Sequence, residues 1–225
     1  MTASRIGVAA ALLIVVSSAA FAQELEPRLY RNAPVGLNAL LVSYGLSRGN
    51  ILVDTSLPIE DARADVNFVG LVYVRTLDLF DRSGKLEVLL PYSWGEFEGR
   101  IDGELRRRSP AGLADPRFRL AVNLVGSPAL RGRDFVQYRQ RTIVGASLQV
   151  VAPLGQYDRT KLVNLGSNRW SFRPEVGLSR AVGSWTFELA GSAWLFTDND
   201  DFFGGAVLDQ DPISEITIKE NPNEE

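Results

Sequence analysis

Between Leu37 and Phe196 the chain repeats one pattern seven times: apolar side chains at alternate positions, separated by small, polar or charged ones, over stretches of about ten residues. Strand side chains alternate between the two faces of a sheet, so each stretch has one apolar and one polar face. In Lys85–Trp94, Leu86, Val88, Leu90, Tyr92 and Trp94 share a face, with Lys85, Glu87, Pro91 and Ser93 opposite; only Leu89 breaks the pattern. Asp115–Leu124 is a second clear copy. Strands of this length suit a wall with hydrocarbon on one side and water on the other. They predict an all-β fold, an antiparallel transmembrane β-barrel of the outer-membrane type. The competing readings are a soluble periplasmic β-sandwich and a lipid-binding barrel, in which the same apolar faces would form a core. Sandwich strands run to about five or six residues.

Seven strands are predicted: Leu37–Ser47, Ala64–Leu77, Lys85–Phe97, Asp115–Val125, Thr142–Ala152, Arg169–Ala181 and Ser184–Thr197. In the second, Val66, Phe68, Val72 and Val74 are assigned to the lipid face, with Asp65, Asn67 and Arg75 opposite. In the fourth, Phe118, Leu120, Val122 and Leu124 face out while Arg117, Arg119 and Asn123 face in. That facing predicts that Leu120→Arg damages membrane assembly and Asn123→Arg is tolerated. Short turns, Asp78–Gly84 and Val182–Ser184, alternate with long polar connections at Arg48–Arg63, Glu98–Leu113, Leu154–Asn168 and Asp198–Pro212. Outer-membrane barrels have that asymmetry, with short periplasmic turns and long external loops. Gly126–Arg141 is out of place, a long connection at the short-turn end.

The N-terminus predicts export. Arg5, the apolar run Ile6–Val16 and the small-x-small site Ala20-Phe21-Ala22 follow the order of a secretory signal peptide. The apolar run is too short for a spanning helix of roughly 20 residues. The predicted organisation is a signal peptide over 1–22, an incomplete barrel domain over 23–212 and an atypical acidic tail over 213–225. Ile213, Ile216 and Ile218 offer at most a poor eighth strand. An odd strand count is unusual for bacterial barrels. A shortened barrel with open edges would leave backbone groups unpaired in lipid, and a non-functional truncated barrel is therefore an alternative.

Composition removes several kinds of chemistry. The chain has no Cys and no His, so it offers neither a disulfide framework nor the commonest general base and metal ligand. No serine triad can form without His, and no phosphate-binding glycine loop is present. The net charge of −3, without a basic stripe, argues against nucleic acid as a partner. Arg106–Arg108 reads as a solvated loop, and Asp198–Asp201 as an external loop rather than a Ca²⁺ site. The expected protein is not an enzyme and needs no metal or cofactor. Its expected partners are membrane lipid, the outer-membrane assembly machinery and a small-molecule solute. The polar faces nominate a lumen lined by Asp65, Arg75, Lys85, Glu87, Asp115, Arg117, Arg119, Arg169, Arg173, Glu175 and Glu188. Both signs are nearly balanced, which suits cross-strand pairing better than an ion-selective ring of one sign. Arg117 and Arg119, two residues apart, point the same way and form a cationic rung.

Leu29–Gly36 (LYRNAPVG), Asn38–Asn50, Gly112–Leu120 (GLADPRFRL), Thr142–Tyr157 (TIVGASLQVVAPLGQY), Lys161–Pro174 (KLVNLGSNRWSFRP) and Thr197–Gly205 (TDNDDFFGG) resemble, in order and spacing, a family of Gram-negative outer-membrane proteins. The family is described as transporter-like, or as the MetA-pathway phenol-degradation family. The resemblance runs over about Glu24–Pro212. It implies an outer-membrane β-barrel and a channel for small molecules, aromatic or apolar compounds among them. It brings no catalytic set.

Overall fold

A computed structural model describes residues 29–50, 59–101 and 103–222, so the predicted signal peptide lies outside the described residues. The alternating stretches form β1 (Asn38–Asn50), β2 (Ile59–Leu79), β3 (Arg82–Ile101), β6 (Arg117–Val125), β7 (Thr142–Val151), β8 (Ser171–Val182) and β9 (Trp185–Phe196). Three further strands, β4 (Glu104–Arg108), β5 (Ala111–Leu113) and β10 (Ile213–Pro222), and a six-residue helix, α1 (Gly132–Gln137), complete the described elements. All strands join one antiparallel sheet in the order β1-β2-β3-β6-β7-β8-β9-β10, and β4 and β5 also pair with β3.

β4, β5 and β6 lie end to end along β3, partnering Phe97–Ile101, Tyr92–Trp94 and Gly84–Leu89 in turn. They are one long strand interrupted at Pro110 and Pro116, where proline has no N–H to donate. Among the described residues the sheet is therefore eight strands wide. The eighth is β10, in register with β9 from Ile213↔Trp194 to Pro222↔Trp185. The segment expected as a tail continues the sheet.

The hairpin between β2 and β3 is tighter than the sequence suggests. Leu79 pairs with Arg82, leaving a two-residue turn in which Phe80 (φ 56°) and Asp81 (φ 62°) are both left-handed. Such turns match the twist of the flanking strands. Asp78 accepts the Asp81 N–H at 3.0 Å, which helps hold it. Val182 pairs with Trp185 at the same end of the sheet, with Gly183 at φ 58°. The long Gly126–Arg141 connection also lies at this end. It carries α1 and bonds to the N-terminal segment through Val35 N–H to the Leu130 carbonyl.

Burial is inverted relative to a water-soluble domain. Leu40, Val42, Tyr44, Leu46, Leu90, Tyr92, Leu120, Leu148, Val176, Leu178 and Leu189 are exposed, whereas Arg119, Asn123, Gln149, Arg173 and Ser179 are buried. Buried charge and exposed leucine at this scale is the informative deviation from ordinary burial. The sheet curls strongly, and one cavity touches Ser43 of β1, Phe68 of β2, Arg117 of β6 and Trp194 of β9. The polar face is thus concave. No second sheet covers the apolar convex face among the described residues, so the sandwich expectation is not met.

Candidate functional site on the concave face

The strand register lines up the charges. Glu87 stands opposite Arg119, Arg119 opposite Gln149 and Gln149 opposite Arg173. Arg119 donates to Gln149. Arg173, only 5% exposed, donates to Glu215 at 2.8 Å and to the Ser192 hydroxyl at 3.1 Å, with Glu175 at 3.8 Å. Its guanidinium also sits 5.5 Å from the centre of the Trp194 ring. A buried guanidinium without such partners would be costly, so the belt is built as a compensated network.

A strap formed by Leu29–Leu37 crosses this belt. The Tyr30 ring rests on Gly145 and Gly177, which are register partners; a Cβ on either would come within 2.1 Å of the ring. Here glycine is required by close approach. Tyr30 donates its hydroxyl to Glu175 at 2.9 Å, and its carbonyl accepts from Asn123 at 3.0 Å. Burial, reinforced by the Glu175 carboxylate, pushes the phenol well above its ordinary pKa, so it stays a donor. Lys85 donates to the Leu29 carbonyl at 2.9 Å, Asn32 to the Pro128 carbonyl at 3.3 Å, and Thr76 to the Pro34 carbonyl at 2.6 Å. The strap is thereby tied to β2, β3, β6 and β8 and to the α1 connection.

Strap and belt divide the concave face. Around Tyr30, Arg119, Arg173 and Glu175 only about 40 Å³ is open. On the short-turn side, about 400 Å³ opens between Asn32, Tyr138, Thr186 and Glu188. On the long-loop side, about 540 Å³ opens between Phe68, Leu89, Arg117, Leu165 and Trp194. The Leu154–Asn168 connection folds over that larger cavity. Asp115 holds both its ends, accepting from Gly155 N–H at 2.9 Å, Ser167 N–H at 2.7 Å and the Ser167 hydroxyl at 2.6 Å. Asn199, buried, donates to the Tyr157 hydroxyl at 3.0 Å and the Ser167 carbonyl at 3.1 Å.

Of the residues nominated for a lumen, Lys85, Glu87, Arg117, Arg119, Arg173, Glu175 and Glu188 lie on the concave face. Asp115 borders the larger cavity as the loop clip, and Arg169 stacks 4.5 Å from the Phe196 ring centre while donating to Gln210. Asp65 and Arg75, expected in the lumen, do not lie on this face. Asp65 pairs in register with Arg48 and Glu96, and Arg75 with Asn38 and Leu86, all on the convex face. Phe68 and Val72 take the concave positions, opposite Gly45 and Leu41. Asn123 is also not an open water-facing position, since it holds the Tyr30 carbonyl and the Ser127 hydroxyl. The sequence reading missed Tyr30, which precedes the first alternating stretch, and Glu215, which lies in the supposed tail. Among the described residues no cluster of acidic side chains could hold a metal ion.

The family model described as "Putative MetA-pathway of phenol degradation" matches residues 47–218. The structure is similar to the crystal structure of an outer membrane channel from Pseudomonas putida F1, with a TM-score of 0.60 and 23% identity. The likeness covers 87% of this chain and 69% of that one. No curated protein is significantly similar to the chain.

Proposed function

Because the chain belongs to the family described as "Putative MetA-pathway of phenol degradation", we propose that it is an outer-membrane protein of a Gram-negative bacterium that admits small solutes along its concave face. The role is passive transport, without a catalytic step or cofactor. The observation that carries the reading is the inverted burial: Leu120 is 46% exposed while its neighbour Arg119 is 6% exposed. Only a hydrocarbon solvent outside and a polar interior make that arrangement favourable.

The polar borders of the convex face support the same setting. Arg48, Asp65 and Glu96 form one border, with Arg48 and Asp65 bridged at 2.8 Å; Asn38 and Arg75 form the other. Ten residues of strand from Asp65 to Arg75 span about 33 Å at about 3.3 Å per residue. At a barrel tilt of roughly 40° this is about 25 Å along the membrane normal, the height of an outer-membrane apolar band. Tyrosine hydroxyls reach for both borders, Tyr44 to Asn67 at 2.6 Å and Tyr73 to Asn38 at 2.8 Å. Trp94 packs beside both Tyr44 and Tyr92, as an interfacial aromatic girdle requires.

The solute route runs from the larger cavity to the smaller one, and the Tyr30 strap is its narrowest point. The assembly machinery and membrane lipid are the partners this setting requires. The test is the full chain expressed with its N-terminus intact. It should fractionate with the outer membrane, show heat-modifiable migration and make liposomes permeable to glucose. Release with soluble periplasmic proteins, or folded protein in liposomes that stay sealed, would overturn the reading.

A further inference from the structure

The two borders of the convex face differ in charge. At the long-loop border Arg48 is bridged to Asp65 at 2.8 Å, and Asp65 stands opposite Glu96 in register. The short-turn border carries Arg75 of β2 and Arg180 of β8, both exposed. Their register neighbours are neutral: Asn38 and Leu86 flank Arg75, and Thr142 and Phe187 flank Arg180. Among the described residues neither arginine makes an ion pair. Glu220 stands one strand beyond Arg180, opposite Phe187. Arg180 alternates with Leu178 and Val182, which are exposed on the convex face, so it shares that face. Phe187 and Trp185 are exposed beside it.

The two arginines lie at one level. Register steps from Arg75 through Leu86, Leu120 and Leu148 reach Pro174. Pro174 sits inside the apolar band, between Phe172 and Val176, so strand tilt has carried it away from the short turns. Four steps of about 4.8 Å at a tilt of roughly 40° amount to about 12 Å along the membrane normal. The six residues from Pro174 to Arg180 return about 15 Å at the same tilt.

We infer that the short-turn border of the convex face binds anionic phospholipid, with Arg180 and Arg75 each taking the phosphate of one headgroup. The inference rests on the membrane setting proposed above and names the lipid that the border selects. Charge complementarity supports it, since arginines left unneutralised at the edge of hydrocarbon attract anionic headgroups. A guanidinium suits phosphate because its planar fork makes paired N–H···O bonds. The surroundings point to lipid as the source of that phosphate. On the membrane side of Arg180 the same face carries Leu178, Phe187 and Leu189, all exposed. An acyl chain would cover them, and a free phosphate would leave them bare. Thr142 adds a hydroxyl opposite Arg180, and Trp185 an indole N–H at the level where such rings settle.

Brominated phosphatidylglycerol is the probe, in phosphatidylcholine bilayers holding the full chain, with quenching of tryptophan fluorescence as the readout. Trp185 is the tryptophan at this border; Trp94 and Trp170 belong to the long-loop end and Trp194 to the concave face. With those three replaced by Phe, quenching reports Trp185 alone. Brominated phosphatidylglycerol should occupy the border about fivefold better than brominated phosphatidylcholine. Arg180→Gln should remove the preference, Arg180→Lys should keep most of it, and Arg48→Gln at the opposite border should leave it unchanged. With Trp185→Phe and Tyr73→Trp the same assay reads Arg75, and Arg75→Gln should lose the preference there. Heat-modifiable migration confirms that each variant is folded; should Arg180→Gln not fold, Arg75→Gln and competition by soluble glycerol phosphate decide. An unchanged preference in folded Arg180→Gln or Arg75→Gln, or displacement of the lipid by glycerol phosphate, would overturn the inference. Trp185 quenched equally by the two lipids removes this inference alone. Trp185 quenched by neither shows that the convex face does not meet lipid, and removes the membrane setting with it.

Discussion

In β6, Arg117 and Arg119 turn to the concave face, and Phe118, Leu120 and Leu124 turn outward. In β2, the charges Asp65 and Arg75 turn outward, and Phe68 and Val72 turn inward. The two strands have the same period, and their charges lie on opposite faces. The difference is position along the strand. The β6 arginines alternate with Phe118 and Leu120, which are exposed on the convex face, so an outward cation among them would meet hydrocarbon. The β2 charges sit at the two ends of the apolar band, where the outside is already polar. In between, β2 places Val69, Leu71 and Tyr73 outward, opposite Tyr92, Leu90 and Val88 of β3.

The largest expected effect sets these strands against each other. Leu120→Arg puts a cation on the outer face and should cost about 2–4 kcal/mol at the midplane. Phe68→Arg puts one on the concave face and should leave assembly intact. Heat-modifiable migration after outer-membrane fractionation reads both. Equal loss in the two variants would show that Phe68 also meets lipid, and that the register argument for β2 is wrong.

How much of this was legible in the residues follows from the same physics. Alternation is written only where a strand separates oil from water. It located β1, β3, β6, β7, β8 and β9 closely. It was silent for β4, where Glu98 and Arg107 pair at 2.7 Å on a hairpin with both side chains exposed. It was weak for β10, whose Ile216 and Ile218 point outward but whose remaining residues read as a polar tail. For β2 it gave two faces but not their identity, because Phe68 and Val72 are apolar on the concave side as well. The belt charges were legible because a charge at mid-strand has only one tolerable side. Tyr30 was not, since a strap held by carbonyls, Asn123 and a pair of glycines has no period to detect.

A middle-sized effect tests the strap against the strand that holds it. Asn123→Arg removes the donor to the Tyr30 carbonyl and to the Ser127 hydroxyl. Leaving such buried groups unpaired costs about 1–3 kcal/mol. The expected result is a lower denaturation midpoint together with raised liposome permeability, as the strap leaves the belt. Tyr30→Ala should raise permeability as well, because it empties the cradle on Gly145 and Gly177. Permeability unchanged in both variants would mean that the strap does not limit passage.

The smallest effect is expected at the band border. Asp65→Asn removes the partner of Arg48, but the two side chains are 44% and 64% exposed and solvent screens their attraction. Exposed pairs of this kind contribute about 0–1 kcal/mol, so assembly and urea midpoint should barely move. Were Asp65 on the concave face, as the strand pattern first suggests, the same change would alter the charge of the route and shift its cation-over-anion preference. A reversal potential measured across a salt gradient separates the two placements. A shift in Asp65→Asn no smaller than that in Glu87→Gln would return Asp65 to the interior, and with it the assignment of β2.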